Sequence, residues 1–338
     1  MPKITLARCQ LVVPFIQVLQ SLGASTESLL ERYKLPARLE CADGYVPLRN
    51  ALLFVDAGRR AQGIPDFGYL VARGMRFDDL SQELRVPILN SPTLFSALKK
   101  LCAMASIEDT GLRMSLALHG NKARLYSQVD GIRGMPHAEH TQWIQNFLSI
   151  QLIREFAGRD WLPSEMAFEA HYTPQAEVRE DWPTTRFISG QPCSWVDIPL
   201  EYLSLPPLSN PKGETRPEGE GFRPPETLEE VLRLILPSYL EGRVPTVSDI
   251  AGMLNVSSRS LQRILAGSGH SYRDILNRVR FERAAALLEC GEMKMLDIAL
   301  SLGYKDAAHF TRAFSKIAGC SPLQYRKYRM QPSPIRGR

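Results

Sequence analysis

The sequence predicts an α+β N-terminal domain followed by an all-α C-terminal domain, in which two helix-turn-helix subdomains are joined by a long helix. Three observations predict it. Near the C-terminus one short pattern is written twice. In the N-terminal half the apolar spacing changes from the helical period to a period of two and back. Between the halves runs PPLSNPKGETRPEGEGFRPP, residues 206–225, rich in Pro, Gly and charge and without apolar periodicity. Such a composition cannot bury a core and behaves as a tether. The expected divisions are 1–205, the flexible linker 206–225, 226–330, and a disordered tail at 331–338.

In the N-terminal half, Leu11 to Leu22 reads as a helix ended by Gly23, and 25–33 and 48–62 read as two more. Ser91-Pro92-Thr93 caps a helix through Leu94, Leu98 and Leu101. Leu112, Met114, Leu116 and Leu118 then alternate with smaller or polar residues. His119-Gly120-Asn121 supplies a turn, and Ala123, Leu125, Ser127 and Val129 continue the alternation, which is a β-hairpin pattern. Residues 137–156 return to helix, with Trp143, Ile144, Phe147, Leu148 and Ile150 apolar, and 165–170 and 193–196 read as short strands. The expected domain has about four helices and a small antiparallel sheet.

After the linker, 226–240 looks helical through Leu228, Val231, Leu232, Ile235 and Leu236. The first copy of the repeated pattern is Ile250-Ala251, Leu254-Asn255-Val256, Leu261, Arg263 and Leu265. The second is Ile298-Ala299, Leu302-Gly303-Tyr304, Phe310, Arg312 and Phe314. Each is an apolar pair, a turn residue that tolerates φ > 0, and a second amphipathic helix. Thr246 with Asp249, and Ser271 with Asp274, have the capping-box spacing. Ser257 is placed to cap the second helix of the first copy, and Ser321-Pro322 reads as an N-cap with Pro at the first helical position. Gly291 is placed to end the helix that Ser271 begins. That helix, Tyr272 to Cys290, spans about 28 Å. Successive major grooves on one side of DNA lie about 34 Å apart, so a rod of this length suits two reading heads on one DNA face.

On a helical projection Leu261, Ile264 and Leu265 share one stripe, and Arg259, Gln262 and Arg263 the opposite one. In the second copy Phe310, Ala313 and Phe314 face inward, while Ala308, Thr311 and Arg312 face outward with Lys305 beside them. Arg pairs bidentately with guanine and Gln with adenine, and an Ala or Thr methyl packs on the thymine methyl. The alternative, a merely solvated outer face, is weakened by two copies in one register. The second stripe is poorer in long polar side chains, and its part in sequence choice is expected to be the weaker. The charge agrees with a DNA-facing half: the net charge is +5, yet residues 241–338 carry +8 and the remainder −3.

Over roughly 245–329 the chain resembles the AraC/XylS family of bacterial transcription regulators. The residues that carry the resemblance are Arg259-Ser-Leu-Gln-Arg263, Gly269 with Ser271-Tyr272, Arg283-Ala284 with Leu287-Leu288, Asp297-Ile-Ala299, Gly303-Tyr304, His309-Phe-Thr-Arg-Ala-Phe314, Gly319, Pro322 and Tyr325-Arg326. The resemblance implies promoter DNA as partner, most often activation through RNA polymerase, and base or phosphate contacts at Arg259, Gln262, Arg263, Ala308, Thr311 and Arg312. The N-terminal half more loosely resembles the arabinose-binding-type sensor domain of one AraC subgroup, that of ornithine-utilisation and virulence regulators. Pro47-Leu48, Phe67-Gly68, Ser91-Pro-Thr-Leu94 and the stretch from Phe187 through Gly190-Gln-Pro192 to Leu203-Ser-Leu-Pro206 carry it. This implies binding of a small-molecule effector, or assembly into a homodimer. A DNA-binding dimerisation or architectural protein with no effector stays open as the alternative.

Other functions are disfavoured. A hydrophobic fraction of 44% and a charged fraction of 23% are those of a globular protein. No apolar run is long enough to span a membrane and the N-terminus lacks a signal-peptide pattern, so the expectation is a cytoplasmic protein, nucleoid-associated when bound to DNA. Cys9, Cys41, Cys102, Cys193, Cys290 and Cys320 are scattered and read as buried free thiols. His137 and His140 lie three apart on an expected helix, but Glu139 between them faces away, and no H-E-x-x-H, G-x-S-x-G or Walker pattern exists. The chain is read as not an enzyme, without a cofactor or a metal. An apolar pocket is expected between the sheet near 112–129 and the helix near Trp143.

Overall fold

Helix starts in the C-terminal part are set by the side chains placed there. Thr246 Oγ1 accepts from the Asp249 amide, while the Asp249 carboxylate accepts from the Thr246 amide at 2.9 Å. Ser271 with Asp274 and Ser321 with Gln324 make the same exchange, and Ser257 caps the Ser260 amide. The computed structural model describes residues 4–39, 44–132, 135, 137–209, 222–291 and 293–330. The tail expected at 331–338 and most of the expected tether, 210–221, lie outside the described residues. The chain divides into two compact units, one of residues 1–33 with 47–224, the other of 34–46 with 225–338.

Ahead of the linker the elements are β1 (Leu6–Arg8), α1 (Val13–Ser21), α2 (Glu27–Arg32), β2 (Tyr45–Pro47), α3 (Leu48–Gln62), α4 (Phe67–Ala72), α5 (Gln82–Leu89) and α6 (Leu94–Met104). Then follow β3 (Leu112–His119), β4 (Lys122–Val129), α7 (Glu139–Ala157), β5 (Glu165–Ala167), α8 (Ala176–Asp181), β6 (Arg186–Ile188) and β7 (Ser194–Pro199). The expected hairpin forms, from Leu112 opposite Val129 to His119 opposite Lys122, and Ala123, Leu125, Ser127 and Val129 are the buried face of β4. The five-stranded sheet has the order β3-β4-β7-β5-β6. All its pairings are antiparallel except β5 with β6, which is parallel and was not expected. Helices α4, α5 and α8 were also not anticipated: two are only six residues long and the third contains Pro87, so none shows a long period. Helix α7 starts at Glu139 rather than at 137, because His137 sits at φ 61. It is buried on nearly every side, and it crosses α4 closely enough that a Cβ on Gly68 would lie 2.3 Å from His140 Cα.

The second unit contains α9 (Leu228–Ile235), α10 (Val247–Met253), α11 (Ser258–Gly267), α12 (Tyr272–Cys290), α13 (Met295–Ser301), α14 (Ala307–Ala318) and α15 (Pro322–Met330). The helix expected over 226–240 ends at Ile235 and continues as a 3₁₀ turn. Pro237 explains this: it has no amide to donate to the Arg233 carbonyl, and its ring would clash there. Within the same unit Ser238 Oγ donates to the Tyr45 carbonyl at 3.1 Å, and Tyr239 Oη donates to the Lys34 carbonyl at 2.9 Å. No helix among the described residues is long and apolar enough to cross a membrane.

Candidate nucleic-acid interface

The two turns set the two exposed helices. Asn255 takes φ 54 and Gly303 takes φ 72, the left-handed conformation that turns α10 into α11 and α13 into α14. Leu261 and Leu265 are buried, Ile264 is half-buried, and Arg259, Gln262 and Arg263 are exposed. In α14, Phe310 and Phe314 are buried, Ala313 is half-buried, and Ala308 and Arg312 are exposed, as is Lys305 just before the helix. Thr311 is half-buried, and its hydroxyl donates to the Ala307 carbonyl at 2.7 Å. Its hydrogen is therefore committed within the helix, and it has a methyl and an acceptor oxygen left to offer. None of the exposed side chains Arg259, Gln262, Arg263, Lys305 and Arg312 makes a hydrogen bond or ion pair among the described residues.

The connecting helix holds the second copy directly. Arg280 donates from Nε to the Leu302 carbonyl at 3.0 Å and from Nη2 to the Gly303 carbonyl at 3.3 Å. Its guanidinium stacks 4.7 Å from the Tyr304 ring centroid. It thus satisfies two carbonyls at the end of α13 and fixes the turn into α14. The sequence reading missed it, because its partners are backbone atoms far along the chain. Beside α12 lies an open groove of about 1170 Å³, lined in part by Arg233, Arg273, Arg278, Arg280, Arg312 and Lys316. Arg273 and Lys316 are exposed, and Glu229, Asp274 and Glu282 line the same groove. Of the C-terminal cations, Arg326 is half-buried and donates to the Met293 carbonyl at 2.7 Å, while Arg329 pairs with Glu289 at 3.3 Å.

In the N-terminal unit His137 and Glu139 meet, which corrects the reading that Glu139 faces away: their Nδ1 and Oε1 lie 3.0 Å apart. His137, Glu139 and His140 bring ligand atoms within 4.8 Å of one another. Glu139 Oε1 faces His137, and His140 Nε2 is buried with no hydrogen-bond partner. Arg59 Nη2 lies 3.0 Å from His137 Nε2, and His140 Nδ1 accepts the Gly68 amide at 3.1 Å. Burial, with the charges of His137 and Arg59, lowers His140 to about 3, so it stays neutral. Of the described cysteines only Cys9 is fully buried; Cys290 is exposed, which corrects the uniform expectation of buried thiols, and Cys41 lies outside the described residues. Burial pushes the Cys102 thiol up to about 11.

The aromatic residues form a core. The Trp143 centroid lies 4.8 Å from that of Tyr69 and 5.1 Å from that of Phe168, with Tyr172, Trp182 and Phe187 around it. Trp143 is not among the described residues that line a cavity in this unit. That cavity, of about 90 Å³, lies against the other side of α7, at Thr141, Ile144, Gln145 and Leu148, and includes Leu112 and Met114 of β3.

Two family models match the chain. One, described as the arabinose-binding domain of AraC transcription regulator at its N-terminus, matches residues 23–207, and a helix-turn-helix domain matches 250–328. The chain belongs to the AraC family of transcription regulators. It is 34% identical over 145 residues to the ornithine utilization regulator of Pseudomonas aeruginosa, a match covering 40% of this chain and 42% of that protein. With the regulator VirS of Mycobacterium tuberculosis it shares 24% identity over 325 residues, 93% of this chain and 94% of the other. The crystal structure of the transcriptional regulator CdpR from Pseudomonas aeruginosa aligns with a TM-score of 0.39 at 17% identity, over 89% of this chain and 96% of that one. The protein is a transcription regulator whose C-terminal domain binds DNA and whose N-terminal domain is of the arabinose-binding type.

Proposed function

We propose that the two reading heads enter successive major grooves of promoter DNA. Arg259, Gln262 and Arg263 read one groove, and Lys305, Ala308, Thr311 and Arg312 the next. The observation that carries this is the pair of exposed stripes, each backed by a buried one, in two helix-turn-helix copies joined by a helix of 19 residues. Residues 1–205 receive a small-molecule effector and hold a homodimer together, and the effector shifts the balance between states of different DNA affinity. The regulator then works mainly as an activator that contacts RNA polymerase in the cytoplasm, on the nucleoid. It is not an enzyme.

The experiment is capture of genomic fragments by the full chain, followed by titration of the recovered duplex at several salt concentrations. Affinity is expected to fall steeply with salt, with retained preference over random duplex. Equal affinity for both duplexes overturns the reading. Transcription from the recovered promoter, with and without residues 1–205, then tests effector control: a truncated chain that still responds to an inducer makes the N-terminal part an assembly domain.

A further inference from the structure

The cavity in the N-terminal unit has almost entirely apolar walls, among them Leu11, Phe15, Leu52, Val55 and Leu148. Two adjacent carboxyl groups, Glu108 and Asp109, also line it, and both are buried, at 4% and 3% exposure. Glu108 Oε1 accepts from the Ser81 amide at 3.0 Å and from the Ser81 hydroxyl. Glu108 Oε2 is buried and has no hydrogen-bond partner. Such an atom costs free energy unless something donates to it. No Lys, Arg or His is among the described residues that line the cavity. Arg8, whose amide donates to the Glu108 carbonyl, directs its guanidinium to the Ile107 carbonyl and the Glu83 carboxylate. Asp109 accepts from the Gly111 amide at 2.8 Å, and burial, reinforced by Asp130, pushes it up to about 7. The chain thus holds two acid groups in an apolar chamber, with no cation among the described lining residues.

We propose that this cavity is the effector site and that its ligand is a small apolar amine, with the Glu108 side chain turning its buried Oε2 into the cavity to accept from the ammonium and the hydrocarbon against Leu52, Val55 and Leu148. The proposal rests on the effector reading above and adds the site and the chemical class. The size agrees: at about 10–15 Å³ per water on this measure, the space holds several waters or a chain of about six carbons. A carboxylate ligand is disfavoured, because it would meet two buried acids with no countercharge. A neutral alcohol satisfies Oε2 but leaves the acid pair unbalanced, so it should bind less well.

The test uses the full chain and three probes of matched length: hexylamine, hexanol and hexanoate. Hexylamine is expected to raise the melting temperature with increasing concentration, hexanol to do so less, and hexanoate not at all. Hexanol or hexanoate equalling hexylamine overturns the assignment. Glu108→Gln keeps an acceptor for Ser81 and turns an NH₂ toward the ligand, and it should weaken hexylamine binding at least about tenfold. Unchanged affinity in that variant overturns the site. Leu52→Phe narrows the cavity without touching the acids, so it supplies the same comparison if Glu108→Gln does not fold, and there too unchanged affinity counts against the site. The same preparations are assayed for DNA binding. A chain that binds its promoter but ignores hexylamine overturns this assignment alone. One that binds hexylamine but no DNA upholds the site and overturns the regulator reading.

Discussion

In the first helix-turn-helix copy Asn255 makes the turn and aliphatic side chains, Leu261 and Leu265, fill the space beneath the exposed helix. In the second, Gly303 makes the turn and the filling is aromatic: Phe310 and Phe314 pack with Tyr304, Phe281 and Tyr325 at centroid separations of 5.1 to 5.8 Å. The outer faces differ in the opposite sense. The first presents Arg259, Gln262 and Arg263; the second presents Arg312 and Lys305 beside small side chains. One frame has thus been kept while its two sides changed independently. The second copy is the more firmly anchored, and the first carries the richer set of hydrogen-bonding side chains.

The largest difference between the copies should appear at the turns. A Cβ on Gly303 would lie 2.7 Å from Val244 Cγ2 and 3.0 Å from the Leu240 carbonyl oxygen, at φ +72. Gly303→Ala is expected to cost about 3 kcal/mol, from backbone strain together with overpacking. Asn255 is exposed and already carries a side chain in this conformation, so Asn255→Gly should change stability by less than about 0.5 kcal/mol. Calorimetry of both variants checks the contrast. Equal losses would mean that the turns are equivalent and that the crowding at Gly303 relaxes freely.

Next in size is Arg280. Removing it leaves the Leu302 and Gly303 carbonyls without their donor and Tyr304 without its stacked cation. Arg280→Ala should destabilise by about 2 kcal/mol. Arg280→Lys should recover only part of this, since an ammonium lacks the planar fork. The predicted signature is selective: DNA contacts on the Arg312 side weaken while those on the Arg263 side persist, as read by footprinting. Uniform loss along the whole site would make Arg280 a general support of the domain.

What the sequence reveals follows the same division. The paired copies, their caps and the stripes of α11 and α14 are legible because each rests on local spacing: a helical period, a capping residue three positions ahead, a turn residue with φ > 0. The 3₁₀ turn at Pro237 was legible in principle and overlooked, because the apolar period runs on through Leu236. Arg280 is not legible, since its partners are backbone carbonyls brought near only by the fold. Nor are Glu108 and Asp109, which lie between the short 3₁₀ turn at Ala105–Ile107 and β3, outside any periodic pattern. The edge strand β6 pairs in parallel over three residues, too few to show a period of two.

The DNA contacts give the next contrast. Arg263→Ala should cost about 2 kcal/mol in affinity for the cognate duplex and relax choice at one base pair. Arg312→Ala should cost about 1 kcal/mol, with the relaxed position one helical turn away. Binding titrations against duplexes varied at single positions check both. If Arg312→Ala costs more than Arg263→Ala, the second head is the principal reader and the comparison is reversed. A uniform loss across all sequences would mark that arginine as a phosphate contact.

The smallest effect is the sharpest test of what the second face offers. Thr311 donates its hydroxyl to the Ala307 carbonyl, four residues back on its own helix, so that hydrogen is committed within the protein. The methyl, with Ala308 one turn earlier, and the acceptor lone pairs of the oxygen remain to touch a base. Thr311→Val keeps a methyl at that position and removes only the hydroxyl. It should leave affinity and sequence choice within about 0.5 kcal/mol of the parent chain. Thr311→Ser removes the methyl and keeps the hydroxyl; it should lose discrimination in favour of thymine at one position, by about 1 kcal/mol. Gln262→Ala in the first head, which deletes an exposed amide with no such internal bond, should lose at least as much as Thr311→Ser. If Thr311→Val is the variant that relaxes sequence choice, the hydroxyl itself contacts a base, either by leaving the Ala307 carbonyl or by accepting a hydrogen bond while keeping it, and Thr311 reads by hydrogen bonding and not by its methyl.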